Sequence, residues 1–294
     1  MGIKLSSVLH SNGHPNSESF SVKSINLRTL DPSVSPILVL DQFRVSGRPF
    51  GPHPHAGFSA ITYVLTDSAG ACRSRDTLGN DLVVAPGGIC WAQSGSGMMH
   101  EETPADPTLE LHGIQLFVNL SAKNKLIPPR TLCLQARDVP QWQNDCGDRV
   151  RVLVGTFENI ASPLVPAEAL NLLDVELKTK LSFELPRAHV GVVYVLEGST
   201  KVSADGESQR VGGDEAVAMY AKSGGGRVTL ESMQPTQLLV LSATGLNEPI
   251  VERGPFVMND ATQIDAAYAR YQAGHMGRLA ASPRAGGRRN ADFP

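Results

Sequence analysis

Two short stretches hold residues whose types and spacing can bind a transition metal. His53-Pro54-His55 places two imidazoles at i and i+2. On an extended strand those side chains point to the same face. Pro54 removes a ladder donor and favours extended backbone, as at an edge or a barrel rim. Met98-Met99-His100-Glu101-Glu102 repeats the spacing with His100 and Glu102. Two same-face pairs from different strands can converge on one point, giving three neutral nitrogens and one carboxylate. Strand parity turns Glu101 away from His100.

That donor set suits a divalent transition ion better than calcium. Four protein ligands on an octahedral ion leave open positions, which suits catalysis better than a closed structural site. Three neutral histidines and one carboxylate leave the ion with a net positive charge, which favours an anionic oxygen ligand such as an enolate or phenolate. A lone His-Pro-His is more often a turn or a polar pair. The His100/Glu102 pair is what makes a metal the better reading. His10, His14, His112, His189 and His275 have no same-face partner of this kind and read as surface or core residues. Phe58, Met98 and Phe117 are candidates to line a substrate pocket, with Met99 and Trp91 beside them. The bland alternative for each is an ordinary core residue.

The elements that must position these residues are strands. The chain has 294 residues, 41% hydrophobic and 19% charged, with 28 glycines and 20 prolines. That composition supports a packed core and many turns rather than disorder or long helices. Ile61–Leu65 is dense in β-branched and aromatic residues. In Ile114–Leu120, one face carries Ile114, Leu116, Val118 and Leu120, and the other Gln115, Phe117 and Asn119. Asp81–Val84 runs into a Pro86-Gly87-Gly88 turn. Residues 121–140 read as an irregular connector. A second series follows at 150–157, 190–198, 201–203, 215–219 and 237–241, with turn signals at Asp205-Gly206 and Gly212-Gly213-Asp214. The spacing predicts a sandwich or barrel of antiparallel strands, and the loose echo of Pro86-Gly87-Gly88 in Gly212-Gly213-Asp214 makes two similar β-barrels the simplest reading. Two helices are expected: a short one at 166–172, and a better one at 260–273, capped by Asn259 or Asp260 and ended by Gly274.

Net charge is −3, too near neutral for an electrostatic footprint aimed at nucleic acid or membrane. No apolar run reaches the roughly 18 residues needed to cross a bilayer, and the first residues carry no secretory h-region. Four cysteines without a CxxC pair read as reduced thiols in a cytoplasmic protein.

The motifs resemble the pirin family of the cupin superfamily. The carrying residues are Leu40-Asp41-Gln42-Phe43, Pro52-His53-Pro54-His55-Ala56-Gly57-Phe58, Arg75-Asp76-Thr77-Leu78-Gly79-Asn80, the run Ala85–Glu102, His112–Leu120, Gly254–Asn259 and Tyr271–Gly274. The resemblance spans about residues 31–277. It implies an all-β bicupin with two jelly-roll barrels and a short C-terminal helix. Residues 1–135 would form a metal-binding cupin and 136–276 a metal-free one, in which His189 stands alone. Residues 277–294 read as a disordered tail. It also implies that His53, His55, His100 and Glu102 hold one divalent metal. Iron(II) is the first expectation, and nickel, copper, manganese, cobalt or zinc suit the same donors.

The resemblance implies quercetin 2,3-dioxygenase activity, in which dioxygen opens a flavonol ring and carbon monoxide leaves, with Glu102 as the catalytic residue. A second reading is a non-enzymatic, iron-dependent redox sensor that binds a transcription factor or a metabolic enzyme. A third is a structural bicupin with a vestigial site. Expected partners are a small aromatic substrate and O2, with neither nucleic acid nor membrane. Gln42, Ala56, Ser59, Ser74 and Phe117 depart from common family residues. None removes a metal ligand, but Ser59 and Phe117 can reshape the pocket.

Overall fold

Alternation of apolar residues with a period of two dictates the architecture. In the computed structural model, which describes residues 2–17, 19–221 and 224–281, nearly every element is an antiparallel strand. The first unit pairs a seven-stranded with a four-stranded sheet. The larger runs Arg130–Leu134, Ile89–Gln93, Phe58–Val64, Leu111–Asn119, Ile37–Val45, Phe20–Ile25, Asn12–Ser17. The smaller runs His53–His55, Met98–Pro104, Cys72–Asp76, Asp81–Val84. The second unit is a ten-stranded sheet built on two long strands, His189–Ala204 and Gly226–Thr244. Their mutual register is irregular between Val195 and Thr200, as at β-bulges, and both strands continue beyond it. Lys201–Ser203 is therefore the far end of the strand that holds residues 190–198.

The faces of the seven-stranded sheet divide by parity. Ile61, Tyr63, Ile114, Leu116 and Leu40 pack with Leu172, Val192, Tyr194, Leu239 and Leu241 of the second sheet. This shared core joins the two units back to back. Thr62, Gln115 and Asp41 face the interior of the first unit instead. The second unit's interior is filled by Val150, Val152, Leu173, Val175, Val193, Val240 and their neighbours.

Two polar groups of contacts cross the shared core. Tyr63 donates to Asp174 Oδ2 at 2.5 Å, Arg151 Nη1 donates to the Tyr63 hydroxyl at 2.7 Å, and Arg151 Nη2 donates to the Gly87 carbonyl at 2.6 Å. Tyr194 donates to Gln42 Oε1 at 2.7 Å, and Gln42 Nε2 meets His112 Nε2 at 2.8 Å. His112 Nδ1 stands 2.8 Å from Asp67, so this histidine is a buried structural group.

The ends of the chain cross over. Ile3–Leu5 and Leu9–His10 pair with Glu215–Ala221 in the second sheet. Conversely, the hairpin Val251–Arg253/Phe256–Met258 returns to the first unit, where Phe256 bridges to Ala56. The helix Ala261–Gln272 follows it, with the Asp260 carboxylate accepting from Gln263 N–H and Gly274 at φ 77° ending it. Ile264 and Ala267 are buried beneath it with Phe256 and Met258.

Three expectations need correction. Residues 166–172 are not helical: Leu170–Leu177 is a strand whose Leu170, Leu172 and Leu173 are buried against Gly226–Thr244, so sheet burial overrides the local helix preference. Residues 121–140 are not wholly irregular, because Arg130–Leu134 forms the edge strand beside Ile89–Gln93. Cys90 and Cys133 lie directly opposite in that ladder and are joined as a disulfide, leaving Cys72 and Cys146 free. No helix among the described residues is long and apolar enough to cross a membrane. Of the expected tail, residues 282–294 lie outside the described residues.

Candidate metal centre and its cavity

The four-stranded sheet builds the site. His53 and His55 lie on its edge strand, and His100 is directly opposite His53 on the neighbouring strand. The three rings meet edge to face, with centroids 4.8 Å (His53–His55), 4.7 Å (His53–His100) and 4.7 Å (His55–His100) apart. One nitrogen from each falls within 4.8 Å of the others, and His53 Nε2 stands 3.1 Å from His100 Nε2. No other such group of three occurs among the described residues.

The local fold explains the convergence. Pro54 needs no ladder donor at the edge of the sheet. Gly57, at φ 82°, turns the chain immediately after the motif where an added Cβ would overlap the Val257 carbonyl oxygen. The Lys125 ammonium, 2% exposed as a residue, ties this turn down. It donates to the carbonyls of Gly57 at 2.8 Å and Val257 at 2.9 Å, and to Asn119 Oδ1.

Burial sets the protonation of the site. It holds the His53 imidazole below its usual range, although the Gly51 carbonyl and Glu101 oppose the shift. His55 is pushed down to about 3 by burial and then by His53. His100 lies well below its usual range for the same reasons, with His55 and His53 adding to burial. Neutral imidazoles present lone pairs, the form a metal requires. His53 Nδ1 sits 2.9 Å from the Gly51 carbonyl, so it carries the proton and frees Nε2 toward the cluster. His100 Nδ1 is buried without a hydrogen-bond partner.

Glu102 lies two residues beyond His100 and lines the same cavity. Its Oε2 accepts from Thr62 Oγ1 at 2.6 Å, so the carboxylate is held toward the wall, beside the nitrogen cluster rather than within it. Burial pushes its carboxyl up to about 7, against the pull of hydrogen bonds from Thr62 and Ser74. Among the described residues no cationic side chain pairs with it. Glu101, by contrast, is buried in an ion pair with Arg75, Nη1 to Oε2 2.9 Å, on the opposite face as parity requires. Three neutral imidazoles beside a buried carboxylate that lacks a cation form a donor set that fits a divalent transition ion.

The cavity in front of the histidines has a volume of about 440 Å³. Phe117 lines it, and its ring lies 5.7 Å from that of His55. Phe58 and Met98 are buried beside the site, outside the lining. Phe58 packs on His55 at 4.9 Å and on Phe117 at 4.7 Å, and Met98 pairs with His55 across the ladder. Trp91 belongs to the core between the units, and Met99 packs against the Phe256 cluster. The structure adds Thr62, Gln115, Asp41 and an apolar wall with Phe20, Phe43 and Phe50. Of these, Gln115 sits on the polar strand face read from the sequence, and Asp41 and Phe43 sit in the Leu40-Asp41-Gln42-Phe43 motif, though neither signal assigned them to the cavity.

Comparisons with known proteins agree with this fold. The family model described as pirin matches residues 10–118, and that of the pirin C-terminal cupin domain matches residues 172–277. A pirin-like protein of Solanum lycopersicum is 33% identical over 250 residues, covering 83% of this chain and 83% of that protein. Pirin of Rattus norvegicus is 30% identical over 253 residues, covering 84% and 83%. A crystal structure of quercetin 2,3-dioxygenase from Acinetobacter baumannii matches with a TM-score of 0.82 at 28% identity, covering 94% of this chain and 99% of that one.

Proposed function

Since the chain belongs to the pirin family, we propose that it is a metal-dependent dioxygenase of the quercetin 2,3-dioxygenase type. In this reading His53, His55, His100 and Glu102 hold one divalent transition ion, iron(II) first among the candidates. The observation that carries the proposal is the convergence of three neutral imidazoles at an aromatic-walled cavity. The solved quercetin 2,3-dioxygenase with the same fold supports it.

When bound, the ion supplies Lewis acidity and a site for anionic oxygen. The remaining work falls to side chains. Phe43, Phe50 and Phe117 sandwich a flat aromatic substrate and exclude water from it. Glu102 is the catalytic residue, placed at the same cavity to accept the proton of the substrate hydroxyl. Thr62 holds Glu102 Oε2 in position while it does so. His53 is held by its bond to Gly51, so the nitrogen cluster need not reorganise during turnover. The two oxygen atoms of O2 enter the product and one ring carbon leaves as carbon monoxide.

The test is aerobic turnover of quercetin by metal-loaded protein, with His53→Ala as control. Loss of flavonol with release of carbon monoxide in the wild type alone is expected. Equal turnover in the control contradicts the proposal.

A further inference from the structure

Strand register places a row of polar residues across the wall of the cavity. Thr62 pairs with Gln115, Gln115 with Asp41, and Asp41 with Ser24, on four adjacent strands of the seven-stranded sheet. Directly paired residues share a face, and Thr62, Gln115 and Asp41 all line the cavity. The rows on either side are apolar. One is Val64, Gly113, Phe43 and Val22, and the other is Ala60, Phe117 and Val39. A single hydrogen-bonding stripe therefore crosses a hydrophobic wall.

The stripe has a direction. It starts at the carboxylate of Glu102, which Thr62 contacts at 2.6 Å. Gln115 comes next, with Oε1 3.2 Å from Thr62 Oγ1 and Nε2 donating to the Ile61 carbonyl at 3.0 Å, which leaves one amide N–H to spare. Asp41 stands two strand spacings from Thr62, about 10 Å. Burial raises the Asp41 carboxyl above its usual range, and a hydrogen bond from Ser24 and the charge of Arg28 oppose that shift. A carboxylate has about four lone-pair sites, so acceptor capacity remains.

We propose that Asp41, aided by Gln115, is a specificity-determining residue: the cavity selects aromatic substrates that carry a hydroxyl at the end remote from the metal-binding oxygen, and Asp41 accepts the hydrogen bond of that hydroxyl. The inference rests on the flavonol reading above and deepens it. A flat substrate with one end at the histidines lies along the stripe, because the apolar rows on both sides give its polar groups no other partner. A substrate without the remote hydroxyl strips water from the Asp41 carboxylate and returns nothing. Sites built to hydrogen-bond a hydroxyl reject analogues that lack it by much more than a missing methylene costs.

The test compares kaempferol with 3-hydroxyflavone, which keeps the metal-binding oxygens and lacks every remote hydroxyl. Both kcat/KM on metal-loaded enzyme and binding to metal-free protein, followed by the absorbance of the flavonol, are measured for wild type, Asp41→Asn and Asp41→Leu. The wild type is expected to favour kaempferol by tenfold or more in both readouts. Asp41→Leu brings that ratio close to one by weakening kaempferol alone, and Asp41→Asn, which keeps the shape and a neutral acceptor, falls between. A wild-type ratio near one, or the same ratio in wild type and Asp41→Leu, overturns the proposal. If no flavonol is turned over, the dioxygenase reading fails, and the binding ratios still decide the role of Asp41: dependence on Asp41 supports it and independence overturns it.

Discussion

Thr62 Oγ1 donates to Glu102 Oε2 across 2.6 Å, joining the wall of one sheet to the carboxylate beside the histidines of the other. Partners of this kind orient metal-binding side chains, and their loss typically costs 10–100-fold in metal affinity. Thr62→Val keeps the volume and removes the donor. Metal affinity, measured by competition with a chelator, is expected to fall by that factor, while Thr62→Ser restores most of it. Equal affinity in Thr62→Val and wild type would show that Glu102 needs no such hold.

Gly57 lies just after the His-Pro-His strand, against Val257 of the C-terminal hairpin. A methyl group there meets the Val257 carbonyl oxygen, and the residue has φ 82°, where L side chains are strained by about 1–2 kcal/mol. Gly57→Ala is expected to lower stability by about 2 kcal/mol or more. It should also weaken metal binding, because Ala56 and His55 shift with the turn. Thermal melting and metal titration of the same sample check both effects.

The two units share a hydroxyl bond that lies outside the cavity. Tyr63 donates to Asp174 and receives from Arg151, and burial followed by the Asp174 charge holds its phenol well above the usual range. Tyr63→Phe leaves Asp174 and Arg151 short of a partner, which costs about 1–3 kcal/mol. Denaturant unfolding should record that loss with metal content unchanged.

Lys125 makes stability depend on alkaline pH. Burial lowers it from 10.5 to about 8, against the opposing charges of Glu248, Glu168 and Glu252. Between those two values the unfolded chain keeps a proton that the folded chain has released, so folding stability rises with pH across the window. Below about 8 the folded protein bears the full cost of the buried ammonium. The stability of wild type relative to Lys125→Met is expected to grow by up to about 3 kcal/mol between pH 7 and pH 10.5. A constant difference across that range would contradict the assignment.

The histidine spacing was legible in the sequence because a strand has a period of two, so His53/His55 and His100/Glu102 declare their faces locally. The helix at 260–273 was legible for a similar reason, since Asp260 and Gly274 mark its ends. The row of Thr62, Gln115 and Asp41 was not legible, because it exists only through the register of three strands that are far apart in the chain. Residues 166–172 misled for the same reason. Pro166 and the alanines favour a helix, and only the pairing of Leu170–Leu177 with Gly226–Thr244 overrides them. Nor does local sequence say that Cys133 lies opposite Cys90.

The proposed metal site of three imidazoles and Glu102, and the ring-opening activity assigned to it, meet their sharpest test when the protein is loaded anaerobically with iron(II), bound ions are counted, and carbon monoxide is measured once quercetin and air are admitted. A single tightly bound ion per chain and quercetin-dependent carbon monoxide are expected, with both lost in His100→Ala. Unchanged metal content in His100→Ala would rule out the proposed site, and full metal loading without carbon monoxide would rule out the proposed activity.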